Sequence, residues 1–157
     1  MTIDDFAVSL KHMDPQTVLH EWRWLIGTDC LPILLAAGGD AFLQSAKDGS
    51  VHFLEAAFAK FTRVAPSGPA FRVLFNDEKF VEDHFSVAMV VDLRASGCGL
   101  PAGKVYSFKH PLALGGDCGP ENVETCDIEV YFSLLGQIHR QTRKLPVGAP
   151  ASSVRQE

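Results

Sequence analysis

The sequence has no uninterrupted apolar run near the roughly 18 residues that a membrane-spanning helix needs, so no membrane partner is expected. Its first residues, MTIDDFAVSL, carry two acids before any base. That pattern excludes a secretory or transit signal, and a cytoplasmic protein is the expectation. The four cysteines, Cys30, Cys98, Cys118 and Cys126, include no CxxC pair. A chain of 157 residues can bury a core of its own without staples, so the cysteines read as free thiols. Base is also in short supply. The 14 Lys and Arg against 19 Asp and Glu leave a net charge of −5, which argues against a nucleic-acid partner and permits a basic protein partner.

Catalytic motifs are missing as well. The chain contains no HExxH, no GxSxG and no paired carboxylates at a spacing that suits acid–base work. Gly38-Gly39-Asp40 and Gly115-Gly116-Asp117 are neither GxGxxG nor the GK[ST] of a phosphate loop. Each follows an apolar run and reads as a turn that needs positive φ. Cys118 and Cys126 are eight residues apart, outside the tight pairs of zinc sites, and His110, Cys98 and Asp117 do not complete a ligand set. No metal and no cofactor are therefore expected. Nothing brings Cys118 to His110 or His139 as a nucleophile–base pair. His139 falls on an apolar helix face and reads as a satisfied core histidine. With no catalytic residue to name, the chain reads as a binding protein. The alternative is a small-ligand-binding protein or an enzyme with a pocket beside Gly115-Gly116-Asp117 and His110.

What is present is organised around residues 104–144. Val105-Tyr106-Ser107-Phe108 has strand composition, and 111–122 is a loop broken by glycine and proline. Residues 127–143 have helical period. Ile128, Tyr131, Phe132, Leu134, Leu135, Ile138 and Thr142 share one arc, and Glu129, Ser133, Gln137, Arg140, Gln141 and Lys144 share the other, with only Val130 out of place. Thr125 or Asp127 can cap this helix, and Arg140, Arg143 and Lys144 complement its C-terminus.

Upstream, residues 1–14 read as a loosely held lead-in. Asp14-Pro15 opens a helix through Val18, Leu19, Trp22, Leu25 and Ile26, stopped by Gly27. Trp22 and Trp24 cannot both face inward, so one belongs at the edge of the core or on the surface. Residues 31–36 are a strand or buried segment. Residues 41–44 and 51–55 form a hairpin through Asp48-Gly49, 56–65 extends the sheet or bends into another strand, and 70–75 makes a helical turn or two. Val81, Phe85, Ala88, Met89 and Leu93 space a helix from about 77 to 94. Strands and helices do not alternate, so a parallel βαβ sheet is excluded. The expected fold is a single α+β domain over 1–157, a mainly antiparallel sheet with helices packed on it and a long C-terminal amphipathic helix. Its core spans about 15–145, with a flexible tail at 146–157.

Charge is uneven along this chain. Asp77, Glu78, Glu82 and Asp83 surround a single Lys79, and Asp117, Glu121, Glu124, Asp127 and Glu129 lie in a stretch without Lys or Arg. Solvated loops and helix starts would explain both. The functional alternative is an acidic face for a cationic partner, with Asp77, Glu78, Glu82, Asp83, Asp117, Glu121, Glu124 and Glu129 as contact candidates.

The residues Gly39-Asp40-Ala41-Phe42-Leu43, Gly49-Ser50-Val51-His52-Phe53-Leu54, Gly103-Lys104-Val105-Tyr106-Ser107-Phe108, Leu114-Gly115-Gly116-Asp117 and Glu121-Asn122-Val123-Glu124, followed by Asp127-Ile128-Glu129-Val130-Tyr131-Phe132-Ser133-Leu134-Leu135-Gly136-Gln137-Ile138-His139, carry a resemblance over about 18–145. The pattern resembles a bacterial domain family of unknown function, which also forms the C-terminal half of immunity proteins against type VI secretion DNase toxins. More loosely, it is similar to SMI1/KNR4-like immunity proteins. The resemblance implies a non-enzymatic protein that binds and neutralises a cognate secreted toxin. A nuclease toxin would be basic, because it must hold phosphates. The DNase-immunity proteins carry a further N-terminal domain. Only about 15 residues precede the first helix here, so a chain without that domain is expected. The shared positions are mostly glycines, aromatics and caps, which keep a fold and do not by themselves assign an interface.

Overall fold

The computed structural model describes residues 2–11 and 13–144; the expected tail at 146–157 lies outside them. A five-stranded antiparallel sheet runs in sequence order. Its strands are β1 (Ala7–Val8), β2 (Cys30–Ala36), β3 (Ala41–Ser45), β4 (Val51–Glu55) and β5 (Lys60–Ala65). The β3–β4 hairpin closes as expected at Asp48-Gly49. One Asp48 oxygen accepts from the Ser50 amide at 2.9 Å and the Ser50 hydroxyl at 2.6 Å, and these bonds hold its carboxyl below the usual range. Residues 56–65 bend into a separate strand, β5.

Side chains alternate across this sheet, and both faces are covered. Leu35, Ala41, Leu43 and Leu54 join one core with Val18, Leu19, Trp22, Phe132 and Leu135. Ala36, Phe42, Val51 and Phe53 join the other with Phe71, Phe85 and Val90. Helices α1 (Pro15–Leu19), α2 (Arg23–Ile26) and α6 (Ile128–Thr142) therefore cover the first face, and α3 (Gly68–Val73), α4 (Glu78–Phe85) and α5 (Val87–Ala95) the second. A second, two-stranded ribbon of β6 (Lys104–Phe108) and β7 (Val123–Asp127) is tied to the main sheet where the Tyr106 amide donates to the Ala37 carbonyl at 2.8 Å.

The expected α+β fold, antiparallel sheet and long final helix are all present. Four local expectations differ. The N-terminal segment is not a loose lead-in. Phe6 is buried at 4% exposure, Ile3–Asp5 forms a 3-10 turn, and β1 pairs with β2. The helix read through 15–26 is divided by a 3-10 turn at His20–Trp22. The helix read from 77 to 94 is broken at Ser86, whose φ of 50° is left-handed. Finally, residues 123–127, between the expected loop and the expected helix start at Asp127, form strand β7, paired from Lys104 opposite Asp127 to Phe108 opposite Val123, and α6 begins at Ile128.

Two tryptophans lock the first helical segment onto α6. The Trp22 indole donates to the Phe132 carbonyl at 2.8 Å, and that of Trp24 to the Gly136 carbonyl at 3.3 Å. Trp22 is fully buried, whereas Trp24 sits at the core's edge under the Arg143 guanidinium, 4.5 Å from the ring centre. Gly136 lets the chains touch, since a β-carbon there would overlap the Glu21 backbone.

Candidate partner-binding surface

The structure gives the acids of residues 77–83 different work. Asp77 caps α4, its Oδ1 accepting from the amides of Lys79 at 3.0 Å and Phe80 at 3.3 Å. Asp83 pairs with Lys79 at 2.7 Å along the same helix. That hydrogen bond raises the ammonium pKa above its ordinary value. Glu78 and Glu82 are left exposed one turn apart, with no ion-pair partner among the described residues. Both line a groove of about 370 Å³ whose other walls are Thr2, Ile3, Phe6, Phe75, Val81 and Val87.

The second acidic stretch sorts in the same way. Asp117 Oδ1 accepts from the Gly119 amide at 2.7 Å and shapes its own loop. Glu129 is half-buried and accepts from the Asp14 amide at 3.3 Å, which joins the first turn of α6 to the cap of α1. Asp127 pairs with Lys104 across the ribbon at 3.1 Å, so the fold supplies a base that this acidic run lacks locally. Glu121 and Glu124 remain exposed. Glu124 lines a small cleft of about 100 Å³ with Lys109, Cys126, Tyr131 and Leu134. Four of the eight candidates thus have structural partners, and four, Glu78, Glu82, Glu121 and Glu124, present free carboxylates on two separate surfaces.

The loop at Gly115-Gly116-Asp117 is not a cradle. Its amides are already bonded: Gly115 to the Leu112 carbonyl at 3.1 Å and Gly116 to that of Pro111 at 3.1 Å. Asn122 closes the loop, accepting from the His110 amide at 2.9 Å and donating to the carbonyls of His110 at 3.0 Å and Asp117 at 2.7 Å. A β-carbon on Gly116 would overlap the His110 carbonyl. The His110 ring bonds the Leu114 carbonyl at 2.8 Å and so belongs to the same closure. Of the two hollows beside this loop, the one lined by Pro111 and Leu112 holds about 100 Å³, below the roughly 300 Å³ at which ligand pockets begin, and the one lined by Cys118 and Pro120 holds about 430 Å³. Among the described residues, no three His, Cys, Asp or Glu side chains come together as a metal site.

Burial, which sequence spacing does not reveal, concentrates titratable groups elsewhere. Asp40, in the β2–β3 turn, accepts from the Ala56 amide at 3.1 Å. Part of the residue still meets solvent, but its carboxyl lies among protein atoms. Desolvation raises its pKa to about 8 against the opposing hydrogen bond from Ala56, with the Glu55 charge adding to the rise. Tyr131 lies nearby, its phenol pKa raised by burial and by the Asp40 charge. His139 is buried as expected and lies 5.8 Å from Trp22, ring to ring. Its Nε2 has no hydrogen-bond partner among the described residues, so it is not fully satisfied. Burial lowers its pKa, and the backbone at Ala56 and Ala57 opposes that. The cysteines are free thiols; burial raises the pKa of Cys30 and Cys126, which keeps them protonated and unreactive.

Together these features describe a small α+β domain with an acidic surface and a closed glycine loop. Residues 69–139 match the family described as T6SS immunity protein Tdi1, C-terminal, so the immunity-protein resemblance carried by the sequence holds across that stretch. In fold, the chain is similar to the crystal structure of Atu4351 from Agrobacterium tumefaciens. The TM-score is 0.56 at 16% identity, over 80% of this chain and 65% of that one. The chain thus spans just under two thirds of that protein's length. No curated protein matches the chain in sequence. Among the described residues, no helix is long and apolar enough to cross a membrane.

Proposed function

We propose that this chain is an immunity protein of the type VI secretion system that binds a cognate toxin in the cytoplasm and neutralises it without catalysis. The family match over 69–139 carries the reading, and all eight acidic contact candidates fall inside that stretch. Glu78, Glu82, Glu121 and Glu124 keep exposed carboxylates, which suits a basic toxin such as a nuclease. Opposite charge would steer the encounter and speed association. Binding near the toxin's catalytic cleft would then exclude its substrate.

The test is co-expression with the secreted toxin encoded beside this chain. Rescue of growth and co-purification of the pair as a stable complex are expected. Poisoned cells with no complex would overturn the proposal.

A further inference from the structure

The groove between the N-terminal turn and α4 differs from the rest of the surface in combining two properties. Its walls are apolar: Ile3, Phe75, Val81 and Val87 are half-buried and keep part of their surface open to it, around a buried Phe6. Its rim is acidic, with Glu78 and Glu82 on one side. The opposite wall comes from the turn that carries Asp4 and Asp5. Asp5 is tied to the Thr2 amide at 2.6 Å, and Asp4 is exposed. No Lys or Arg lines the groove, and the one lysine of α4 is already paired with Asp83. Glu78 suits the first turn of α4, but Glu82 four residues further on repels it, and neither is held in an ion pair among the described residues. At about 370 Å³, the groove has room for an inserted side chain.

We infer that this groove is a docking site for a protein segment that inserts an apolar side chain between flanking lysines or arginines. The inserted side chain would remove Ile3, Phe75, Val81 and Val87 from water, while the flanking cations meet Glu78 and Glu82. Apolar anchoring gives lifetime to the contact, and charge gives orientation and rate. The inference rests on the binding-protein reading above and names the surface that reading uses.

The experiment titrates 15N-labelled full-length protein with an amphipathic peptide of leucine and lysine, and separately with a leucine–glutamate counterpart. The lysine peptide is expected to shift the amides of residues 3, 6, 75, 78, 81, 82 and 87 and the glutamate peptide to leave them in place. Glu78→Lys with Glu82→Lys is expected to weaken binding about tenfold or more. The milder pair Glu78→Gln with Glu82→Gln should give an intermediate loss in a protein whose spectrum is otherwise unchanged. Glu121→Lys with Glu124→Lys should leave affinity within about twofold. Three results would overturn the inference: shifts centred on 121–127, equal binding of both peptides, or no shifts at all. A dimer that Val81→Asp converts to monomer would assign the groove to a second copy and overturn it too. Peptide binding without toxin capture sinks the immunity reading and leaves the groove. Undiminished toxin capture by the Glu78→Lys, Glu82→Lys protein does the reverse.

Discussion

The tripeptide Gly-Gly-Asp occurs twice in this chain, and the two copies sit in opposite physical settings. At Gly38-Gly39-Asp40 the turn joins two strands of the main sheet and lies against the core. Gly39 has φ of 91° and is so close to Tyr131 that a β-carbon would overlap the phenol. The Asp40 carboxyl is desolvated, with its pKa raised to about 8. At Gly115-Gly116-Asp117 the same residues sit in an exposed loop that bonds only to itself, through Asn122 and His110, and Asp117 is exposed. Identical chemistry therefore gives a core seam in one place and a surface closure in the other. What separates them is what the rest of the fold brings to each: the first turn of α6 to one, water to the other.

The sharpest way to break this comparison is to add one methyl group at each site. Gly39→Ala must adopt a left-handed backbone and overlap a buried aromatic ring on α6. Strain and overpacking together are expected to cost about 4 kcal/mol. Gly115→Ala adopts the same left-handed backbone, with φ of 97°, but meets only the His110 ring at 3.9 Å, so it bears the strain alone and a loss of about 1–2 kcal/mol is expected. Urea unfolding of both variants measures the difference. Equal losses would mean that the two turns are equally constrained and would erase the distinction.

The buried Asp40 should show itself next in pH dependence. The folded state holds a proton on Asp40 that the unfolded chain releases near the ordinary value of 3.8. Its contribution is therefore fully present below about pH 4 and is lost as pH rises towards about 8, where both states are ionised. Over that window the loss is on the order of 3 kcal/mol, less than the full shift implies because part of the residue meets solvent. Asp40→Asn keeps an oxygen for the Ala56 amide and cannot ionise, so its stability at pH 8 should exceed that of the parent by a similar amount. His139 opposes this trend. Its lowered pKa gives stability that is present above the unfolded value of 6.5 and is lost as pH falls through the folded value. Thermal melts from pH 4 to 9 of the parent, Asp40→Asn and His139→Phe separate the two: the first variant should flatten the alkaline side and the second the acid side.

Much of the fold was legible before any coordinates. The period of α6 is long and its apolar arc continuous, the Asp48-Gly49 hairpin signals itself, and Asp14-Pro15 starts a helix where capping chemistry says it should. The failures have physical causes. Strand β7 carries Glu124 and Asp127 and is defined by its pairing with β6, across the 14 residues that lie between Phe108 and Val123. The break at Ser86 is left-handed without a glycine to announce it. The N-terminal turn looks like a polar lead-in until Phe6 is seen under it. The candidate site was half legible. Charge counting finds the acidic stretches, but it cannot tell a carboxylate that caps a helix, such as Asp77, from one left facing water, such as Glu82. Nor can it see that Ile3 and Val81, distant in sequence, form two sides of one groove.

The smallest effects belong to the exposed loop. Asn122→Ala removes one bond to the His110 amide and two to the carbonyls of His110 and Asp117. All lie near water, which replaces much of what is lost, so about 1–2 kcal/mol is expected. The loss should be local: amide exchange should quicken at residues 110–119, while the core strands keep their protection. Asp117→Asn is milder still. The amide oxygen can accept from the Gly119 amide in place of the carboxylate, and only the charge assistance disappears. A change below about 0.5 kcal/mol, or about 2 °C in Tm, is expected. Set beside Asp40→Asn, the same substitution in the same tripeptide should alter stability strongly at one turn and barely at the other. Equal responses would show that the protein does not distinguish these two carboxylates by burial.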